Sequence, residues 1–214
     1  MEQTTIKINL KMEKLELKKY NLKGYSNVLD QKDRTIWFTS DTHFGHKNII
    51  QYCSRPWDNV EKMNEDIINN WNAIVKPNDI VFHLGDVQLG GGNQLMDNIF
   101  PRLNGHIILI LGNHDNRNLK RRHIDLIDDC FEQLTVNIDG IRCILTHCPV
   151  MVPRAIDDNI WNLHGHLHTK NGIVLEDCPV KLESYHYDVG VDNNNYRPIS
   201  FNEIKNKILN SKIN

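Results

Sequence analysis

Five of the eleven histidines in this 214-residue chain lie in short polar motifs that also carry carboxylate and amide side chains. Imidazole and carboxylate ligands together suit borderline first-row cations such as zinc, iron and manganese, whereas magnesium and calcium prefer nearly all-oxygen shells. The motifs therefore predict a transition-metal site with seven candidate ligands, which are Asp41, His43, Asp86, Asn113, His147, His166 and His168.

Seven ligands exceed the needs of one tetrahedral ion but suit two divalent ions about 4 Å apart that share a bridging carboxylate. Asp86 is the predicted bridge. Such a pair of ions lowers the pKa of a bound water, orients a phosphate ester and neutralises charge on the phosphoryl oxygens. His114 follows Asn113 directly and belongs to no ligand pair. We therefore predict that His114 is the general acid that protonates the leaving oxygen.

Each motif follows a short apolar run that is typical of a buried strand. The runs span residues 36–39, 80–83, 107–111, 141–146 and 160–163. Helical periodicity is found over 60–74, with Pro77 as the stop signal, and again over 95–103. The spacing of Ser200 and Glu203 predicts a capped terminal helix through about Leu209. Alternating strands and helices predict an α/β fold in which ligand sites form beyond the carboxyl ends of strands. The five motifs can therefore meet in space.

The first 35 residues differ from the rest of the chain. Ile6, Ile8, Leu10 and Met12 alternate with polar residues, which predicts one strand in an N-terminal extension. We place the extension at residues 1–35 and the main domain at residues 36–214. The sequence does not choose between a sheet edge and a dimer contact for this strand, and it leaves the oligomeric state open.

Composition gives no strong signal for nucleic acid or for a membrane. The formal net charge of −2 provides no strong basic field for nucleic acid. No apolar run approaches the roughly 18 residues that a membrane span needs, so we expect a cytoplasmic protein with no membrane partner. The five cysteines are scattered and form no C-x-x-C pair, which favours reduced, buried thiols.

The ordered motifs resemble the signature of the calcineurin-like metallophosphoesterases. They comprise Asp41-Thr42-His43, Gly85-Asp86, Gly112-Asn113-His114-Asp115, His147 and Gly165-His166-Leu167-His168. Each motif alone is weak, but five in order make a strong signal. The segment 188–198 further resembles the closing strand and turn of small bacterial and phage members, most of which are predicted phosphoesterases.

This resemblance implies a fold and a set of roles. The fold would be a four-layer αββα sandwich of two mixed sheets flanked by helices. One ion would be held by Asp41, His43 and His168, and the other by Asn113, His147 and His166, with Asp86 bridging them. The resemblance implies manganese as the first candidate metal, and iron, zinc or nickel also supports activity in relatives. A hydroxide that bridges the two ions would attack phosphorus, while Asn113 faces the phosphate and His114 acts as the acid.

The substrate is less constrained. Val87-Gln88-Leu89-Gly90 follows Asp86 where protein phosphatases of the superfamily carry Asp-Arg-Gly, so that branch is disfavoured. An uncapped two-metal site favours a phosphodiesterase acting on a small or nucleotide-type ester, with His46 and Arg117 as candidate substrate contacts. The alternatives are a phosphomonoesterase, a nuclease on short nucleic acid, and a non-catalytic interaction scaffold. The presence of His114 and all seven ligands disfavours the scaffold.

Overall fold

Two mixed β-sheets form the core of this computed structural model, which describes residues 34–92, 94–115, 126–152, 159–170 and 172–211. The first sheet has the order β4-β3-β2-β1-β9. Its strands are β1 (Ile36–Thr39), β2 (Ile80–His83), β3 (His106–Ile110), β4 (Asp129–Phe131) and β9 (Ile199–Ser200). Strands β1 to β4 are parallel, and β9 runs antiparallel to β1.

The second sheet has the order β5-β6-β7-β8. Its strands are β5 (Leu134–Ile138), β6 (Ile141–Leu145), β7 (Ile160–His164) and β8 (His186–Asp188). Strands β5 and β6 form an antiparallel pair, and β6, β7 and β8 are parallel. The ring of Phe201 contacts both Phe38 of β1 and Trp161 of β7, so the two sheets share one apolar core. The chain therefore has the predicted α/β fold of two mixed sheets with flanking helices.

Among the described residues, four α-helices accompany the sheets, and their bounds are α1 (Ile49–Tyr52), α2 (Val60–Asn72), α3 (Leu95–Ile99) and α4 (Phe201–Ser211). The predicted apolar face of α2 is buried together with side chains of the first sheet. Asn59 caps this helix by accepting a hydrogen bond from the Lys62 backbone at 2.8 Å. Within the described ranges, no helix is long and apolar enough to cross a membrane.

The predicted elements are found with small shifts in their ends. The five strands predicted directly before the motifs are present, each within one residue of its expected bounds. The helix predicted over 95–103 ends at Ile99 and continues as a 3-10 turn, Phe100–Arg102, because Pro101 cannot donate a helical hydrogen bond. The capping box is confirmed, since Glu203 N donates to Ser200 Oγ at 3.2 Å and Ser200 N donates to Glu203 Oε2 at 3.0 Å.

Other predictions differ from the structure or lie outside it. The closing strand expected from residue 188 onward instead ends at Asp188, and Val191–Asn193 forms a 3-10 turn. Asp33–Asn214 form one compact unit. The strand predicted at residues 6–12 and the candidate substrate residue Arg117 both fall outside the described residues, so they stay predictions.

Candidate metal centre

The seven predicted ligands converge at the carboxyl ends of β1, β2, β3, β6 and β7. The parallel register pairs Ile36 with Ile80 and Ile80 with His106, which brings the ends of the first three strands to one edge. The loop after β1 continues this pairing, because the backbone amides of Asp41 and His43 donate to the carbonyls of Gly85 and Asp86. The candidate ligands that are far apart in sequence are therefore neighbours.

The ligands form two groups, with the Asp86 carboxylate between them. Atoms of Asp41, His43 and His168 lie within 4.8 Å of one another, and so do atoms of Asp41, Asp86 and His147. Asn113 Oδ1 lies 2.8 Å from His147 Nε2, and the ring centroids of His147 and His166 are 5.1 Å apart. Both predicted ligand groups are thus brought together.

Asp86 lies between the two groups. Its Oδ2 is 3.7 Å from His43 Nε2 on one side and 3.4 Å from His147 Nε2 on the other. Its Oδ1 accepts a hydrogen bond from the His114 backbone at 3.0 Å, which fixes the orientation of the carboxylate. The Asp86 carboxylate therefore lies within 4 Å of a ring nitrogen from each group.

Left-handed backbone conformations are concentrated in this site. Five of the seven candidate ligands have positive φ angles, namely Asp41 (56°), His43 (50°), Asp86 (55°), His166 (69°) and His168 (47°). Such a conformation costs a non-glycine residue about 1–3 kcal/mol, and it persists only where the surrounding structure enforces it. Strain of this kind clusters at functional sites.

Two motif glycines have no space for a side chain. A Cβ atom on Gly165 would lie 2.5 Å from Asp41 Oδ2 and would also meet Ser40 Oγ. A Cβ atom on Gly112 would meet the backbone and the carboxylate of Asp86. The glycine in each motif therefore lets one loop approach the ligand carboxylate of another loop.

Several buried polar atoms of the site have no hydrogen-bond partner among the described residues. They are Asp41 Oδ1 and both ring nitrogens of His43. An unsatisfied buried polar group costs about 1–3 kcal/mol, and imidazole nitrogen with carboxylate oxygen suits manganese, iron or zinc. Because these atoms cluster within coordinating reach of one another, the residues present fit a divalent transition metal.

Burial and neighbouring charges set the protonation of the site. Burial, together with His168 and Arg55 nearby, holds the pKa of His43 well below its usual value, so this ring is neutral. Burial opposes the charged form of His147, but its hydrogen bond to Asp86 and the charge of Asp41 outweigh this and raise its pKa to about 9. For His168, the hydrogen bond to Asp192 likewise outweighs burial and raises the pKa to about 11. Burial also raises the pKa of Asp41. Without metal, His147 and His168 therefore favour their protonated forms beside Asp86 and Asp192.

The residues assigned to the substrate line the same site. His114 is partly exposed, and its ring centroid lies 5.7 Å from that of His43. The ring of His46 lies 5.4 Å from that of His43 and 6.1 Å from that of Tyr52. Of the predicted catalytic and substrate-contact residues, the structure therefore brings His114 and His46 to the site.

Three residues that are not candidate ligands support the site. Asp115 accepts hydrogen bonds from the backbone amides of Asp86, Val87 and Gly112, and it thereby joins the loops after β2 and β3. Asp192 accepts from His168, and Arg55 pairs with Asp192. Asp115 belongs to the motif Gly112-Asn113-His114-Asp115, and Asp192 lies in the segment 188–198. Arg55 belongs to no motif, and nothing in the sequence links it to Asp192.

The thiol of Cys148 also lies within 4.8 Å of a ring nitrogen of His147 and of His166. Burial and the charges of Asp86 and Asp41 raise the pKa of Cys148. This cysteine is half-buried next to the candidate ligands, whereas the sequence suggested only buried thiols without a site.

Comparison with known proteins places these motifs in one family. The sequence profile described as calcineurin-like phosphoesterase matches residues 34–208. An uncharacterized protein of Methanocaldococcus jannaschii is 35% identical over 182 residues, which cover 84% of this chain and 94% of that protein.

Two further relatives extend the comparison. The Gene 66 protein of Mycobacterium phage D29 is 29% identical over 160 residues, which cover 63% of this chain and 79% of that protein. Among solved structures, a protein of unknown function from Aquifex aeolicus superposes with a TM-score of 0.62 at 27% identity. That superposition covers 81% of this chain and 99% of the Aquifex chain.

Proposed function

Because this chain belongs to the calcineurin-like phosphoesterase family, we propose that it is a phosphodiesterase that works with two divalent transition-metal ions. The observation that carries the proposal is the position of Asp86, whose Oδ2 lies 3.7 Å from His43 Nε2 and 3.4 Å from His147 Nε2. A single carboxylate between two ligand groups is the arrangement that a pair of ions requires.

Each ligand group would hold one ion. Asp41, His43 and His168 would bind the first, Asn113, His147 and His166 would bind the second, and Asp86 would contact both. When bound, the ions would polarise the ester and lower the pKa of an attacking water. Manganese is the proposed metal, with iron, zinc or nickel as alternatives that the same ligands accept.

His114 would supply the proton for the leaving oxygen. Its backbone amide is held on Asp86 Oδ1 at 3.0 Å, and its side chain is 38% exposed, so the ring can reach both the site and a bound ester. General acid catalysis typically contributes about 10²- to 10⁴-fold. We expect His114→Ala to keep its metal affinity and lose turnover by about that factor. Full activity in this variant would refute the role.

His46 and Asn113 are the proposed contacts to the substrate. The ring of His46 is half-buried and lies 5.4 Å from that of His43, so its exposed edge can meet an ester oxygen bound at the site. Asn113 lies at the exposed end of the ligand groups, where its side chain can meet a phosphoryl oxygen while it binds metal. His46→Ala should raise KM more than it lowers kcat if this contact forms in the bound substrate.

Diester cleavage is preferred because the intervals between the motifs are too short for a large capping domain, which leaves space on both sides of phosphorus. The test is hydrolysis of bis-p-nitrophenyl phosphate and p-nitrophenyl phosphate by metal-stripped protein, with manganese, nickel, zinc or magnesium restored singly. Diester turnover that returns with a transition metal and is lost in Asp86→Asn would support the proposal. Turnover of the monoester alone would instead identify a phosphomonoesterase.

The natural substrate is proposed to be a small or nucleotide-type ester. The net charge of −2 gives no general attraction for long nucleic acid. A nuclease acting on short strands would reveal itself by salt-sensitive binding of an oligonucleotide, which the proposed function does not predict.

A further inference from the structure

A buried ion pair between Arg55 and Asp192 contacts the segments that carry the first ligand group, Asp41, His43 and His168. Arg55 and Asp192 are 137 positions apart, and both side chains are fully buried. Arg55 Nε donates to Asp192 Oδ1 at 2.9 Å, and Arg55 Nη2 donates to Oδ2 at 2.8 Å. This is the two-bond geometry that arginine forms with carboxylates and that lysine cannot reproduce.

The remaining donors of Arg55 bind the turn that carries two ligands. Nη2 donates to the Asp41 carbonyl at 2.7 Å, and Nη1 donates to the Thr42 carbonyl at 3.0 Å. Nη1 also contacts the sulfur of Met63 at 3.6 Å, so all five N–H groups of the guanidinium have acceptors. Asp41 and His43 both have positive φ in this turn. The guanidinium therefore holds the strained backbone from which their side chains project.

Asp192 extends the same contact to the third ligand. Its Oδ2 lies 2.8 Å from His168 Nδ1, and His168 Nε2 points into the site, 4.0 Å from Asp41 Oδ1. A carboxylate bound to one ring nitrogen fixes the ring orientation and leaves the other nitrogen to coordinate metal. Through these bonds the pair contacts the segments that present Asp41, His43 and His168. Among the described residues, none of its hydrogen bonds reaches Asn113, His147 or His166.

We propose that Arg55 and Asp192 are positioning residues that preset the first ligand group, and only that group, for its cation. The inference rests on the proposed two-metal site. Stability alone does not explain a buried ion pair, because well-packed apolar residues in its place often stabilise a fold equally or better. Its bonds to the strained turn and to a ligand histidine supply the specific role.

The main test replaces Arg55 with lysine, which keeps the charge and removes the fork. Manganese binding to the metal-stripped full-length chain is measured by titration calorimetry, and His43→Ala and His166→Ala assign the two affinities to their groups. We expect Arg55→Lys to weaken the first site by about 10- to 100-fold and to leave the second unchanged. Arg102→Lys is the matched control, because Arg102 makes a two-bond pair with Glu65 on the exposed surface.

A second variant, Asp192→Asn, tests the same role in case Arg55→Lys does not fold. Asp192→Asn should weaken the same site, whereas Asp79→Asn should lower the free energy of unfolding without changing either metal affinity. Asp79 is equally buried but binds the backbone of Thr35 and Lys76 at the other end of β2. Urea unfolding of each metal-free variant gives the stability scale.

The possible outcomes separate this inference from the proposed function. A wild-type chain that binds no manganese would refute the two-metal site itself. Two sites in the wild type with both affinities unchanged in Arg55→Lys and Asp192→Asn would refute only the positioning role. Equal weakening of both sites in Arg55→Lys or Asp192→Asn, together with a loss of stability like that of Asp79→Asn, would also refute the positioning role.

Discussion

The neutral histidine at the end of β2 leads to a prediction about acid stability. His83 is fully buried, and its ring stacks on that of Trp71 with centroids 6.4 Å apart. Thr42 Oγ1 donates to the Val87 carbonyl at 3.0 Å, so this oxygen accepts from His83 Nε2 at 3.1 Å. The Gly85 amide donates to His83 Nδ1 at 3.3 Å. Both ring nitrogens are therefore committed in the neutral form, and protonation would break the bond to Gly85.

Burial lowers the pKa of His83 from 6.5 to about 3. Since the folded pKa lies below the unfolded one, the unfolded chain takes up the proton first as the pH falls below about 6.5. His83 then removes about 1.4 kcal/mol from the free energy of unfolding per pH unit, until the folded pKa is reached. Between about pH 6.5 and pH 5 the loss is about 2 kcal/mol.

The test compares metal-stripped wild type with His83→Gln by urea unfolding at several pH values in this window. The variant should be less stable near neutral pH because it loses one of the two ring hydrogen bonds, but its stability should fall less steeply with acid. The difference between the two slopes isolates His83 from the other titrating groups. If both proteins lose stability in parallel from about pH 6.5 to pH 5, the reasoning about the neutral ring is wrong.

Three other perturbations test the packing of the site. Gly165→Ala should displace the Asp41 carboxylate and weaken manganese binding in calorimetry, whereas Gly140→Ala, whose Cβ has nothing within 4 Å, should leave the affinity unchanged. Equal affinities in the two variants would contradict the close contact. Asp115→Ala leaves three buried backbone amides without their acceptor. Urea unfolding should show that the free energy of unfolding falls by about 3 kcal/mol or more. A loss below about 1 kcal/mol would contradict this expectation. Chelation should lower the melting temperature, because manganese at about 100 times its Kd adds about 2.7 kcal/mol of stability for each site, and an unchanged melting temperature in calorimetry would count against metal binding.

The sequence predicted the elements whose signals are local. The five motif strands are short continuous apolar runs, and α2 shows a clear apolar face, so both were found with nearly correct bounds. Strand β9 contains only Ile199 and Ser200, which is too short to show a period. Strand β5 was not among the predicted strands, although Leu134–Ile138 alternates apolar and polar residues with a period of two.

The same division holds for the site. The seven candidate ligands and His114 lie in contiguous motifs, so their types and order could be read directly. Arg55 could not be found in this way, because an isolated arginine in a loop is exposed in most proteins. Only the folded chain brings it to Asp192, and only the geometry separates this pair from the exposed pair of Arg102 and Glu65.

The origin of the ligands in both sheets has a consequence for folding kinetics. Asp41, Asp86 and Asn113 follow strands of the first sheet, while His147, His166 and His168 follow strands of the second. A cation held by both sets would act as a cross-link between the sheets, and it could form only after they have docked. Interactions absent from the folding transition state slow unfolding and leave the folding rate nearly unchanged. Bound metal would therefore lengthen the lifetime of the native protein. A metal-free chain would fold at nearly the same rate but unfold faster.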